Sequence, residues 1–125
     1  MARSRGVEPV QVVAVGFDED AERSLLGFAA SEENPDDVLV VARGKRFSAE
    51  DAALGMDTYC VITGTSGATH YGGVDELEWP EPNRVRLTLS AEASETLMLP
   101  RDLELQLPDE SVDLVRAQLG ALLGR

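Results

Sequence analysis

Residues 84–90, RVRLTLS, alternate without a break: Val85, Leu87 and Leu89 fall on one parity, Arg84, Arg86 and Thr88 on the other. Successive side chains of a strand point to opposite sides, so this pattern is a strand packed on one face and wet on the other. Residues 102–108, DLELQLP, repeat the pattern and predict that Leu103, Leu105 and Leu107 are buried. One-faced strands of this kind belong to antiparallel sheets, whose apolar side must be covered by a second layer.

Other runs extend the β content. Residues 10–17, VQVVAVGF, are valine-rich and predict a strand. DEDAER follows as an acidic turn and SLLGFAA (24–30) as the returning strand, Gly27 marking a bulge or a close approach. A helix over 20–30 is the rival reading, since alanine and leucine are good helix formers. The acidic turn between two apolar runs suits a hairpin better. SEENPDD (31–37) is loop by composition, and VLVVARG (38–44) is a β-branched strand. DTYCVIT (57–63) and ATHYGGVDELEW (68–79) predict two strands around a GTSG turn, with PEPN (80–83) as the next turn.

Helix signals are fewer. In FSAEDAALG (47–55), Ser48 and Asp51 approximate a capping box and Gly55 is placed to stop a helix of one or two turns. Ser90 caps a short helix, AEASETLML, that Pro100 ends. The last helix starts with Asp109 as N-cap after Pro108, carries Val112, Val115, Leu119 and Leu122 on one stripe, and stops at Gly124. No internal repeat or low-complexity segment interrupts this order. The reading is a single α+β domain over residues 1–125, with residues 1–8 flexible: a mostly antiparallel β-sheet, a short mid-chain helix and a C-terminal helix packed on one face.

Composition narrows the function. The chain has 125 residues, 23 acids against 11 lysines and arginines, and a formal net charge of −12. Such a field repels nucleic acid and anionic membranes and speeds encounter with basic proteins. The single cysteine cannot form an internal disulfide, which points to a reducing, cytoplasmic setting. No stretch has the 18 or so apolar residues of a membrane span, and the first residues lack the pattern of a targeting signal.

The rare residue types crowd into GMDTYCVITGTSGATHYGGVDELEW, Gly55 to Trp79, which holds the only cysteine, histidine and tryptophan and both tyrosines. A Cys60–His70 nucleophile pair would need both side chains on one face of the hairpin. If Gly64 and Gly67 flank a two-residue turn, Cys60 lies opposite Tyr71 and His70 points away. If TSG is a three-residue loop, the pair shares a face. Both registers are open at this level, but nothing nearby resembles a cysteine-enzyme nucleophile turn. One cysteine and one histidine make no zinc motif, and YGG is too short for a phosphate loop, so no cofactor or metal is expected. Tyr71 and Trp79 are either interface anchors or core residues with a satisfied polar tip.

ALGMDTYCV, HYGGV, the alternating RVRLTLS, the AEASETLMLP helix and DLELQLPDE together resemble the immunity protein 10 family of bacterial polymorphic toxin systems. The resemblance runs from Val10 to the C-terminal helix and is densest over 53–107. It implies a small, largely β, intracellular protein without enzyme activity that binds and neutralises a cognate toxin domain. An acidic domain suits a basic partner such as a nuclease. On that reading Asp57, Tyr71, Asp75, Glu76, Glu78 and Trp79 are the expected toxin-binding residues, and an exposed edge strand leaves room for a homodimer. Two rivals stand beside it. One is a non-catalytic β module binding a small ligand or a regulatory protein, which a pocket lined by Tyr59, Tyr71 and Trp79 would favour. The other is a small hydrolase using Cys60 and His70.

Overall fold

The computed structural model describes residues 9–30, 38–63 and 67–124. The expected flexible segment 1–8, the loop 31–37 and most of the GTSG turn lie outside these. The strands divide between two sheets. One has four strands in the order β1 (Val10–Gln11), β9 (Asp102–Gln106), β8 (Arg84–Leu89) and β7 (Val74–Glu81). The other is a five-stranded antiparallel meander of β2 (Ala14–Glu19), β3 (Arg23–Ala29), β4 (Val38–Gly44), β5 (Tyr59–Thr63) and β6 (Thr69–Tyr71). Among the described residues only β1 runs parallel to its neighbour, β9. Helices α1 (Ala49–Ala53), α2 (Ala91–Leu97) and α3 (Val112–Leu123) complete the α+β architecture.

The alternation in β8 and β9 is realised directly. Val85, Leu87, Leu89, Leu103, Leu105 and Leu107 are all buried. They meet Leu26, Phe28, Val41 and Val61 from the five-stranded sheet, and Ala93, Leu97, Val115 and Leu119 from α2 and α3, in a single core. α3 lies along β3 and β4, while α2 lies between β6 and β8. The apolar stripe of α3 is thus inward, and Gly124 ends the helix in a left-handed conformation.

Two predicted strands prove to be pairs of strands. VQVVAVGF breaks at Val12–Val13, where Val12 N–H donates to Gln106 O (2.9 Å) in one sheet and Val13 N–H donates to Ala29 O (2.8 Å) in the other. ATHYGGVDELEW breaks at Gly72–Gly73 in the same manner: Gly72 N–H donates to Tyr59 O, and Gly73 O accepts from Ser90 N–H, both at 2.8 Å. At each site adjacent residues bond to different sheets, so the chain steps from one layer to the other. The buried Tyr59 hydroxyl spans the second step, accepting from Val74 N–H at 2.9 Å.

Smaller differences have local causes. Gly27 marks no bulge, because pairing runs unbroken from Gly16 through Gly27 to Val40. β7 continues through Pro80 to Glu81, narrowing the turn before Arg84. Proline is tolerated there because β7 is an edge strand with register irregularities on either side of its central pairs. α2 stops at Leu97, with Met98 left-handed (φ 58°), before Pro100 can act. Asp109 opens a 3₁₀ turn, Asp109–Ser111, rather than capping α3. The Ser111 hydroxyl there donates back to Pro108 O at 2.8 Å.

Candidate functional site

The five-stranded sheet has an outer face that is apolar across its middle strands. Register sets Asp18, Leu25, Ala42, Cys60 and Tyr71 in one cross-strand row, with the exposed Asp18 at its β2 end. Gly16, Gly27, Val40, Ile62 and Thr69 form a second row on the same side. The intervening positions, Leu26, Val41 and Val61, point into the core, so these two rows look away from it. Beyond β4, Phe47 and Met56 of the connection carrying α1 come alongside the first row. Together they line an open groove of about 440 Å³. Leu25, Cys60 and Ile62 are its half-buried floor, and Phe47 and Tyr71, at 38% and 39% exposure, stand at its sides.

Charge around the groove departs from that of the chain as a whole. Arg23, Arg43 and Arg46 line it, with Glu22 and Asp51. Arg43 is committed elsewhere, donating through Nη1 to Leu122 O (3.0 Å) near the C-terminal, negative end of α3. Asp51 is also engaged: its carboxylate accepts from Ser48 N–H at 2.9 Å, and Ser48 Oγ accepts from Asp51 N–H at 3.0 Å, the reciprocal capping box that starts α1. Arg23 and Arg46 form no side-chain hydrogen bond or ion pair among the described residues.

The hairpin register is now defined. Cys60 pairs with Tyr71 and Val61 with His70, so Cys60 faces the groove while His70 faces inward. Burial pushes the Cys60 thiol above its usual range, partly offset by the positive charge of Arg23. His70 sits under α2, with Nδ1 3.3 Å from Gly72 O and Nε2 4.0 Å from a Glu92 carboxylate oxygen. The two side chains are therefore separated by the sheet, and no nucleophile–base pair is assembled. Among the described residues no group of three or more His, Cys, Asp or Glu side chains is placed to hold a metal. No helix among them is long and apolar enough to cross a membrane.

The six expected toxin-binding residues fall into two groups. Tyr71 borders the groove, and Asp57 is exposed in the bend between Met56 and Thr58, both groove residues. Asp75, Glu76, Glu78 and Trp79 lie on β7, in the other sheet. Glu76 and Glu78 stand opposite Thr88 and Arg86 on the outer, polar face, and Glu78 pairs with Arg86 at 3.3 Å. Asp75 lies 3.8 Å from Arg101. Trp79 packs on the core, with the Arg116 guanidinium 3.9 Å above its ring, a cation–π contact. Tyr59, Tyr71 and Trp79 do not share a pocket: Tyr59 is buried, Tyr71 is on the outer face, and Trp79 belongs to the other sheet.

Sequence reasoning passed over Arg23, Leu25, Arg46, Phe47, Met56 and Ile62 as site residues. One signal was available. VLVVA and YCVIT are apolar on both parities, unlike RVRLTLS, and a strand of that kind is covered on both sides.

The described residues form a small α+β protein whose five-stranded sheet carries a groove with an apolar floor on its outer face. The immunity protein 10 family model matches residues 10–114 of the 125. The chain belongs to the immunity protein 10 family. No curated protein and no solved structure matches it.

Proposed function

We propose that this protein binds and neutralises a cognate toxin domain of a polymorphic toxin system, in the cytoplasm and without catalysis of its own. The observation that carries the proposal is the family match over residues 10–114. The charge supports it: at −12 the chain is suited to capture a basic toxin by electrostatic steering. In this reading Asp57, Asp75, Glu76 and Glu78 contribute to steering and Tyr71 to the contact itself, while Trp79 stiffens β7 from behind. Cys60 and His70 lie on opposite sides of the sheet, and Tyr59, Tyr71 and Trp79 do not line the common pocket that would favour a small-ligand module.

The test is co-expression with the toxin-like domain encoded in the adjoining reading frame. The expected outcome is restored growth and a stable complex that co-purifies. Unrestored growth together with no complex would sink the proposal.

A further inference from the structure

We infer that the toxin docks on the outer face of the five-stranded sheet and inserts an apolar segment bearing a carboxylate into the groove between Phe47 and Tyr71. The inference rests on the toxin-binding reading above and adds the surface and the chemistry of what it takes. Three observations converge on this face. The first is its apolarity. A sheet face that looks away from the core is expected to be polar, as the Arg84–Arg86–Thr88 face of β8 is. Here Leu25, Ile62, Phe47 and Tyr71 are instead left to form a concave apolar surface.

The second is charge. In a chain with 23 acids and 11 lysines and arginines, two arginines that form no ion pair or side-chain hydrogen bond among the described residues, Arg23 and Arg46, both stand at this groove. Elsewhere Lys45, Arg84, Arg86 and Arg101 are each matched to an acid of the chain itself. Arg23 and Arg46 outnumber Glu22, the lining carboxylate not held in the α1 cap, so the complement to the apolar floor is an apolar segment carrying a carboxylate, which arginine can hold in bidentate fashion.

The third is a pair of glycines. Gly16 and Gly27 face each other in the row beside the groove. A Cβ at Gly16 would meet nothing within 4 Å, and one at Gly27 would meet nothing closer than the Val40 side chain at 3.9 Å. Neither has the positive φ that calls for glycine, and no contact within the described residues requires it. Glycine in a strand weakens it unless a bulge or another backbone comes close. The register excludes the bulge, and the described residues place no neighbour over either glycine, which favours an approach from outside. A second copy of the chain is disfavoured as that neighbour, since two molecules at −12 repel each other.

The experiment measures affinity and dissociation rate of the purified protein for the toxin domain encoded beside it, with sedimentation of the free protein and its melting temperature recorded in parallel. The variants are Arg23→Glu with Arg46→Glu, Gly16→Val with Gly27→Val, Tyr71→Ala, and, on the other sheet, Glu76→Gln with Glu78→Gln. The first three are expected to lose about tenfold or more in affinity, as anchor residues do. The glycine variant should do so while melting no lower than wild type. The Glu76/Glu78 variant should keep its dissociation rate within about threefold, because peripheral charges act mainly on association. The sign of the arginine result is decisive: if general acidity drives binding, Arg23→Glu with Arg46→Glu binds as well as or better than wild type, and the inference falls. It falls too if wild type sediments as a dimer that the groove variants dissociate. Failure of wild type to bind the toxin at all overturns the functional proposal itself, a result distinct from binding that ignores the groove.

Discussion

At Gly73 the backbone adopts φ +97°, and a Cβ there would lie 2.6 Å from Ala93 Cβ and 2.9 Å from His70 Nδ1. No flexible side-chain end is available to yield at Ala93, so α2 itself would have to lift. Gly72 beside it has φ +71°, but its Cβ would meet only Thr58 Cγ2 at 4.0 Å. The two glycines thus separate conformational strain from steric clash. Gly72→Ala should cost about 1–2 kcal/mol, the penalty of a left-handed non-glycine residue. Gly73→Ala should cost roughly 3 kcal/mol or more, because strain and overpacking add. Denaturant melts of the two variants check this, and equal losses would mean that the approach of α2 is not what requires glycine at 73. The sequence marks HYGGV as unusual. It does not reveal that the second glycine is wedged under a helix encoded some twenty residues later.

The short helices illustrate how similar capping signals carry different weight. Ser90 Oγ accepts from Ala93 N–H at 3.0 Å and starts α2, which buries Ala93 and Leu97. Ser48 and Asp51 form a complete capping box, yet α1 buries no residue. Ser90→Ala should therefore lower global stability by about 1 kcal/mol, a fall of roughly 3–5 °C in melting temperature for a chain of this size. Ser48→Ala should leave the melt nearly unchanged and instead speed amide exchange in α1. A global loss from Ser48→Ala matching that from Ser90→Ala would contradict the account. Both caps were readable from sequence because a cap is a local event. So were the inward parities of β8 and β9, since alternation reports which side is apolar. What alternation does not report is which sheet a strand joins. Val10–Gln11 and Ala14–Glu19 look like one strand because both are valine-rich or apolar, and their separation is decided by hydrogen bonds to residues 106 and 29. Glu104 shows the same limit: its parity is outward, yet its carboxylate is buried beneath Arg84 and Arg86, with Arg86 Nε at 2.8 Å.

Over the whole molecule, the acidic field and the groove act at different ranges. Repulsion and attraction from a net charge of −12 extend about one Debye length, roughly 8–10 Å at ordinary salt. The groove acts only on contact. Association with a basic toxin should therefore slow by about tenfold or more as salt rises from low to high concentration, with dissociation changing far less. Stopped-flow mixing at graded ionic strength measures both. An association rate indifferent to salt would remove steering from the mechanism while leaving the groove in place. The candidate site was only half legible for a related reason. Tyr71 and Asp57 come from the stretch whose composition drew attention, but Arg23 and Arg46 reach the same groove from β3 and from the segment after β4, and only tertiary pairing brings them to Tyr71.

The two sheets differ in how their strands are drawn from the chain. The groove-bearing sheet is a continuous meander over residues 14–71, whereas the other takes β1 from residues 10–11 and its remaining strands from residues 74–106. During synthesis every strand of the groove-bearing sheet is therefore available before any strand of β7 to β9 has been made. Leu26, Phe28, Val41 and Val61 must wait, uncovered, for partners that the ribosome delivers later. A half-made chain exposes one apolar side that stays outside in the finished fold and a second that it will bury, and the arrival of β8, β9 and α3 tells them apart.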